Sequence, residues 1–308
     1  MEPIGTITVY LPFMDSQTKN VITSLMRDAY NFHDFVKSLC QKVSTTDSPG
    51  SLVFFAVHFA ALLFDFESLD KIAKSYGKLD LIRPNLFYGS AMQGRSEDMK
   101  KVRDAADQVL SSNPPDWLVL EMHMVKLEAE NEEYPANIYD HSTGDKIEQL
   151  IEDKPEFEFL KSRIYDSLTI RAIRDGDEDG ALELNQMAIE NAEEFDDINR
   201  LAHLLRTRAE LIHSSNWTEM LDLLVRSQRL MSAMGDKNGL ADVFFQLSKL
   251  ESTRGLYDNA IEHNLECIRI RESMGVSTGM FALTISTLYN VIGQSEAGFE
   301  WAKLAENE

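Results

Sequence analysis

The chain has 308 residues, with 30 basic and 51 acidic side chains and a formal net charge of −21 at pH 7. This field repels phosphate, whereas nucleic-acid binders need Lys and Arg to displace counterions. The composition therefore argues against nucleic-acid binding. The excess of acidic side chains either forms a solvated surface or matches a partner protein with a basic surface.

The cysteines and the hydropathy of the chain indicate its cellular location. Only Cys40 and Cys267 occur, far apart in the sequence and without metal-ligand spacing, so we predict neither a disulfide framework nor a zinc site. The N-terminus lacks the features of a signal peptide, and the apolar run over residues 52–64 is too short to span a bilayer. We expect a cytoplasmic protein without membrane association and with a buried core helix over that run.

The first predicted element is a short extended segment over residues 5–13. In this segment the side-chain types alternate along the chain, and many of them are β-branched. Pro12 would restrict a strand here to a sheet edge. An unpaired edge favours docking, either on the protein's own helices or on a second copy. The role of residues 1–14 stays open at this point.

From Asp15 onward the sequence predicts helices almost throughout. Apolar residues recur at helical spacing, and breakers such as Pro49 and Gly50 separate the segments. We divide the chain into residues 1–50 (the extended segment and two helices), 51–153 (degenerate helical hairpins) and 154–308 (clear repeats with a terminal helix). We expect the three parts to form one continuous array.

A repeat is legible in the last part. Residues 176–189 (GDEDGALELNQMAI) and 255–268 (GLYDNAIEHNLECI) are alike and begin 79 residues apart. A degenerate copy lies between them, so that the small residues Ala188, Ser227 and Cys267 recur at spacings of 39 and 40. A period near 40 built from paired helices is typical of stacked helical-repeat proteins.

The pattern resembles the tetratricopeptide repeat, in the variety with a period near 40 residues. The turn glycines are Gly176, Gly255 and Gly293, and the second-helix alanines are Ala181 and Ala260. The first-helix positions are filled by Tyr165, Leu168, Thr169 and Ala172; by Phe244, Leu247, Ser248 and Glu251; and by Ala282, Ile285, Ser286 and Tyr289. The resemblance is clear over about residues 157–305 and weak over 51–153. It implies an all-α, right-handed helical-repeat solenoid.

The resemblance also implies a concave groove lined by one face of each first helix. Between the packing positions lie polar side chains of both charges, which suit hydrogen bonding to an extended peptide or a partner helix. The alternative is that they face water without binding. The candidate groove residues are Arg163, Asp166, His203, Arg206, Glu210, His213, Asp242, Phe245, Gln246, Lys249, Thr284, Thr287 and Asn290.

Sequence motifs for catalysis are close to absent. The seven histidines form no HExxH pair, and no GxGxxG, P-loop or GxSxG motif occurs. His203, Glu210 and His213 share a helix face, but ligands three turns apart on one helix cannot converge on a metal. We therefore expect no catalytic residues, metal or cofactor.

Three functions follow as hypotheses. The first is a non-catalytic scaffold or adaptor that binds a protein or peptide in the groove. The second is a regulatory sensor whose repeat array responds to a peptide or small ligand. The third is self-assembly as a homodimer, through the N-terminal segment or through the last helix, where Phe299, Trp301 and Leu304 either pack inward or meet a second copy.

Overall fold

The structure, a computed structural model, describes residues 5–8, 10–45, 47–63, 65–92, 99–132, 142–212 and 216–306. Every regular element in these ranges is a helix, and consecutive helices pack against each other, so the predicted all-α class is confirmed. The chain forms two compact units, Met1–Arg200 (unit 1) and Leu201–Glu308 (unit 2). Their boundary does not coincide with the predicted boundaries at residues 50 and 153.

Unit 1 holds eleven helices within its described residues and the start of a twelfth, α12 (Ile198–Leu211). Its helices are α1 (Gly5–Thr8), α2 (Ser16–Asp28), α3 (Phe32–Thr45), α4 (Gly50–Leu62), α5 (Phe66–Tyr76), α6 (Arg83–Met92), α7 (Met99–Leu110), α8 (Asp116–Glu132), α9 (Ser142–Asp153), α10 (Lys161–Asp175) and α11 (Glu178–Glu194). Short 3₁₀ turns lie at Leu11–Phe13, Asp80–Ile82 and Pro155–Leu160.

The core helix predicted over residues 52–64 corresponds to α4, which ends at Leu62, and residue 64 lies outside the described residues. Its side chains from Leu52 to Ala60 are all buried, and α3, α5 and α6 pack on it. A helix that is apolar all round must be covered on every side, which explains why its neighbours surround it. Within the described residues, no helix is both long enough and apolar enough to cross a bilayer.

The prediction of an extended N-terminal segment is wrong for the described residues 5–8 and 10–13. They form α1 and a 3₁₀ turn, and Pro12 lies in the first turn of that 3₁₀ helix, where a missing N–H costs nothing. Tyr10 is buried, and its ring meets those of Phe55 and Phe59 edge-on at 6.0 and 5.8 Å. Burial against α4 overrides the local β-propensity, since that propensity depends on context.

Unit 2 is built from helical hairpins. After the shared α12 come α13 (Trp217–Met234), α14 (Lys237–Thr253), α15 (Tyr257–Ser273), α16 (Gly279–Val291) and α17 (Ser295–Glu306). Helix α14 packs against α15, and α16 packs against α17. In unit 1, α10 and α11 form a hairpin of the same kind.

The predicted turn glycines have the expected backbone. Gly176, Gly255 and Gly293 adopt φ values of 77°, 75° and 80°, a left-handed conformation that L side chains rarely adopt. At Gly255 the next amide, that of Leu256, donates to the Glu251 carbonyl at 2.9 Å, which closes the helix in a Schellman motif. Each hairpin therefore turns at a fixed point of the repeat.

The predicted small residues form the seam between paired helices. Ala181, Ala188, Ser227, Ala260 and Cys267 are fully buried. Helices α14 and α15 approach closely. The Ser248 hydroxyl of α14 donates to the backbone carbonyl of Ala260 on α15 at 2.7 Å. A larger residue at position 260 would separate α14 from α15.

Ala260→Leu should destabilise the protein by about 1 to 3 kcal/mol, because overpacking forces side chains and backbone apart. Asn259→Leu adds the same side chain at the exposed neighbouring position and should change the free energy of unfolding by less than about 0.5 kcal/mol. Urea unfolding of both variants makes the comparison. Equal urea midpoints for Ala260→Leu and Asn259→Leu would contradict the prediction that position 260 lies in a close-packed seam.

Candidate binding groove

The first helices of the unit 2 hairpins, α12, α14 and α16, lie side by side. His203 on α12 contacts Asp236, the N-cap of α14, with 3.0 Å between Nε2 and Oδ2. Phe245 on α14 meets Phe281 on α16 edge-on, with ring centroids 5.0 Å apart. Each contact joins one predicted residue to a neighbouring first helix, and the charges of Arg206 and His203 on α12 also act on Asp242 of α14.

Asp242 is the central polar group of this surface. Its side chain is half-buried on α14, and its carboxylate accepts no hydrogen bond from the residues that the structure describes. Burial raises the pKa of Asp242 above its ordinary value, and the positive charge of Arg206 on α12 opposes that shift. A partly desolvated carboxylate without a donor gains from a ligand that supplies one.

The predicted residues on α12 are paired within unit 2. Asp236 is buried and also accepts from the Gly239 amide at 2.9 Å, so the contact with His203 ties α12 to the start of α14. Arg206 forms an ion pair with Glu210 one turn later. His213, the remaining candidate on this part of the chain, lies outside the described residues.

Along α14 the surface continues from the acid to an amide, an aromatic ring and a cation. Gln246 and Phe245 are half-buried, and Lys249 is exposed, with its Nζ 5.7 Å from the centroid of the Phe245 ring. Residues three or four apart on a helix share a face, so Asp242, Gln246 and Lys249 form one stripe. The stripe offers an acceptor, a mixed donor–acceptor and a donor in order.

The candidates on α16 are less available than predicted. The hydroxyls of Thr284 and Thr287 donate to the carbonyls of Met280 and Leu283 one turn earlier, each at 3.0 Å. The side chain of Asn290 packs against Gly298 of α17, where an added Cβ would lie 2.8 Å from its Oδ1. Short polar side chains commonly bond to their own helix in this way, which periodicity alone does not reveal.

The candidates in unit 1 are not open groove residues. Arg163 is 5% exposed, and its guanidinium donates to Glu121 at 2.8 and 3.0 Å and to Glu128 at 3.0 Å. Asp166 accepts from Arg200 at 2.7 Å, and both side chains are largely buried. The expectation that Arg163 faces a groove is therefore wrong.

Instead, Arg163 belongs to a buried polar network that sequence reasoning missed. The Tyr10 hydroxyl donates to Glu121 at 3.2 Å, and Nδ1 of His58 lies 3.6 Å from the same carboxylate. Burial alone would raise the pKa of Glu121, but the adjacent Arg163 guanidinium holds that pKa below its ordinary value. Burial lowers the pKa of His58, so the imidazole is neutral and the paired charges are Glu121 and Arg163.

A sequence signal for this network did exist. His58 lies in the apolar run of α4, and Glu121 lies among buried residues in the middle of α8. A charged or polar residue inside such a segment requires a buried partner. The sequence does not say which residue is that partner, because Glu121 and Arg163 are 42 positions apart.

Among the residues that the structure describes, no group of three or more His, Cys, Asp or Glu side chains could hold a metal ion. No protein-family model matches the chain, and no curated protein matches it. Among solved structures it is similar to BtubC (BKLC) from P. vanneervenii, with 15% identity, a TM-score of 0.52, and 68% of this chain and 88% of that chain covered. That likeness extends to the helical fold alone.

Arg163→Met should destabilise the protein by about 3 to 5 kcal/mol, because it leaves the buried Glu121 charge without its cation. Adding Glu121→Met removes both charges and should recover much of the loss. Arg269→Met, which breaks an exposed pair with Glu266, is the control and should cost less than about 1 kcal/mol. Chemical unfolding measures all of them, and a double variant less stable than Arg163→Met would contradict this account.

Proposed function

We propose that this chain is a non-catalytic interaction protein of the tetratricopeptide-repeat type. It binds an extended peptide on the face formed by α12 and α14 of unit 2. The observation that carries the proposal is Asp242, a half-buried carboxylate that accepts no hydrogen bond within the described part of the chain. The paired turns and small-residue seams support the assignment to this repeat type.

The stripe on α14 suits a peptide backbone. An extended peptide carries an N–H donor and a C=O acceptor at every residue. Asp242 accepts from the donors, Lys249 donates to the acceptors, and Gln246 serves either, while Phe245 supplies an apolar contact beside them. Groups of this kind bind peptides without reacting with them.

The histidine beside the stripe has a structural role in this proposal. His203 contacts Oδ2 of Asp236, and Oδ1 of the same carboxylate accepts from the Gly239 amide and caps α14. His203 therefore positions α12 against α14 rather than acting as a base. The net charge of −21 favours peptides with a basic character, which accumulate near an acidic surface.

Peptide selection tests the proposal. A phage-displayed library of random peptides is panned on the full chain, and enriched peptides are measured by fluorescence anisotropy. Asp242→Asn keeps the shape and removes the charge, and it should weaken binding about tenfold or more, because hydrogen bonds to charged groups are strong. Lys249→Ala should weaken binding in the same direction.

The matched control is Arg269→Ala on α15, an exposed charged residue on a second helix. It should change affinity by less than about twofold, since it is a surface substitution away from the stripe. Two results would contradict the proposal. One is a library that enriches no peptide on the full chain, and the other is a selected peptide that binds Asp242→Asn as tightly as the wild type.

A further inference from the structure

The last hairpin of unit 2 leaves apolar side chains uncovered. Leu283 on α16 is 56% exposed and Phe299 on α17 is 61% exposed. Trp301, in contrast, packs against the cluster of Phe281 and Ile285 between the last two hairpins. Of the three aromatic and apolar residues predicted to pack inward or meet a second copy, only Trp301 packs inward. We call the surface around Leu283 and Phe299 the terminal face.

The preceding hairpin, α14–α15, has residues at positions equivalent to those of the terminal face. The turn glycines Gly255 and Gly293 are 38 positions apart, so Leu283 corresponds to Phe245 and Phe299 to Ile261. In α14–α15 both positions contact α16, since one side of Phe245 meets the Phe281 ring and Ile261 clusters with Leu288. The terminal face therefore repeats a surface that, one hairpin earlier, is a helix-packing interface.

The covering helix defines the shape of the missing occupant. On α16 the residues that contact α14–α15 are Phe281, Ile285 and Leu288, all buried and spaced at i, i+4 and i+7. This spacing forms one apolar stripe on a helix. An occupant of the terminal face needs the same stripe.

The acidic charge of α17 and of the whole chain favours an occupant with basic side chains. Helix α17 carries three glutamates against one lysine, and that lysine, Lys303, is already paired with Glu300 at 2.8 Å. A second copy of the chain would bring the same acidic helix and a further net charge of −21 to the contact. A basic helix instead gains from the field, because complementary charges favour association.

We propose that the terminal face binds a basic amphipathic helix of another protein, stacked on α16–α17 as α16 stacks on α14–α15. The Lys303 ammonium lies 4.4 Å from the centroid of the Phe299 ring. The surface is separate from the stripe at Asp242, so this inference does not rest on the proposed peptide site.

A synthetic copy of α16 is the probe. The peptide carries residues 279–291 with the outward residues Met280, Leu283 and Thr287 changed to Lys, and alanine extensions bring it to about 20 residues so that it is helical. A second peptide carries Glu at the same three positions. Binding to the full chain is followed by fluorescence anisotropy in low salt.

The Lys peptide should bind, and Phe299→Ser should weaken it about tenfold or more, because a large buried aromatic contact is lost. The control is Leu304→Ser, which is 55% exposed on the same helix but corresponds to Glu266, a partly exposed side chain that pairs with Arg269 on its own helix. It should change affinity less than about twofold. Asp242→Asn should bind the Lys peptide as the wild type does.

Four results would overturn the proposal. The first is no binding of the Lys peptide, and the second is a Glu peptide that binds as tightly. The third is equal weakening by Phe299→Ser and Leu304→Ser. The fourth is a dimer of the full chain, seen by light scattering, that Phe299→Ser abolishes, because the occupant would then be a second copy. Circular dichroism confirms that both serine variants keep the helical content of the wild type.

Discussion

The close approach of paired helices in unit 2 depends on side chains no larger than Ala, Ser or Cys at the seam. The Ser248 hydroxyl reaches the Ala260 carbonyl, and the Ser227 hydroxyl reaches the Ala202 carbonyl at 2.6 Å. These contacts fix how far α14 lies from α15 and α12 from α13. The stripe at Asp242 and the Phe245 ring both lie on α14, so their positions follow from the seam. The left-handed glycine at each turn completes the constraint, because it sets where one helix ends and the next begins.

Unit 1 is held together differently. Its core joins an aromatic cluster around Tyr10 and α4 to a buried pair of charges, Glu121 and Arg163. A buried ion pair adds little net stability compared with an apolar replacement, yet it penalises any packing that separates its members. The pair therefore helps to specify how α8, which lies where the repeat pattern is degenerate, meets α10.

The sequence predicts features that depend on spacing along the chain. The glycine turns, the small seam residues and the buried α4 follow from local periodicity, and all are confirmed. The N-terminal segment shows the limit of such predictions. Tyr10 caps a 3₁₀ turn instead of lying in a strand because it packs against α4, which begins 40 positions later. Arg163 shows it again: it occupies the same place in the repeat as the groove candidates, but Glu121 on α8 makes it a buried residue. On α16 the threonine hydroxyls bond to their own helix, which depends on rotamers that spacing does not determine.

The two proposed surfaces of unit 2 have a common origin in the repeat. One is the face of first helices, where polar residues stand between packing positions, and the other is the terminal face, where packing positions are exposed among the residues that the structure describes. Hydrogen–deuterium exchange of the full chain with a peptide selected on it tests the central claim most directly. Binding on the first-helix face should slow exchange over residues 242–249 of α14 and along α12 more than anywhere in α13 or α15. Protection confined to α13 and α15, or to unit 1, would contradict the account.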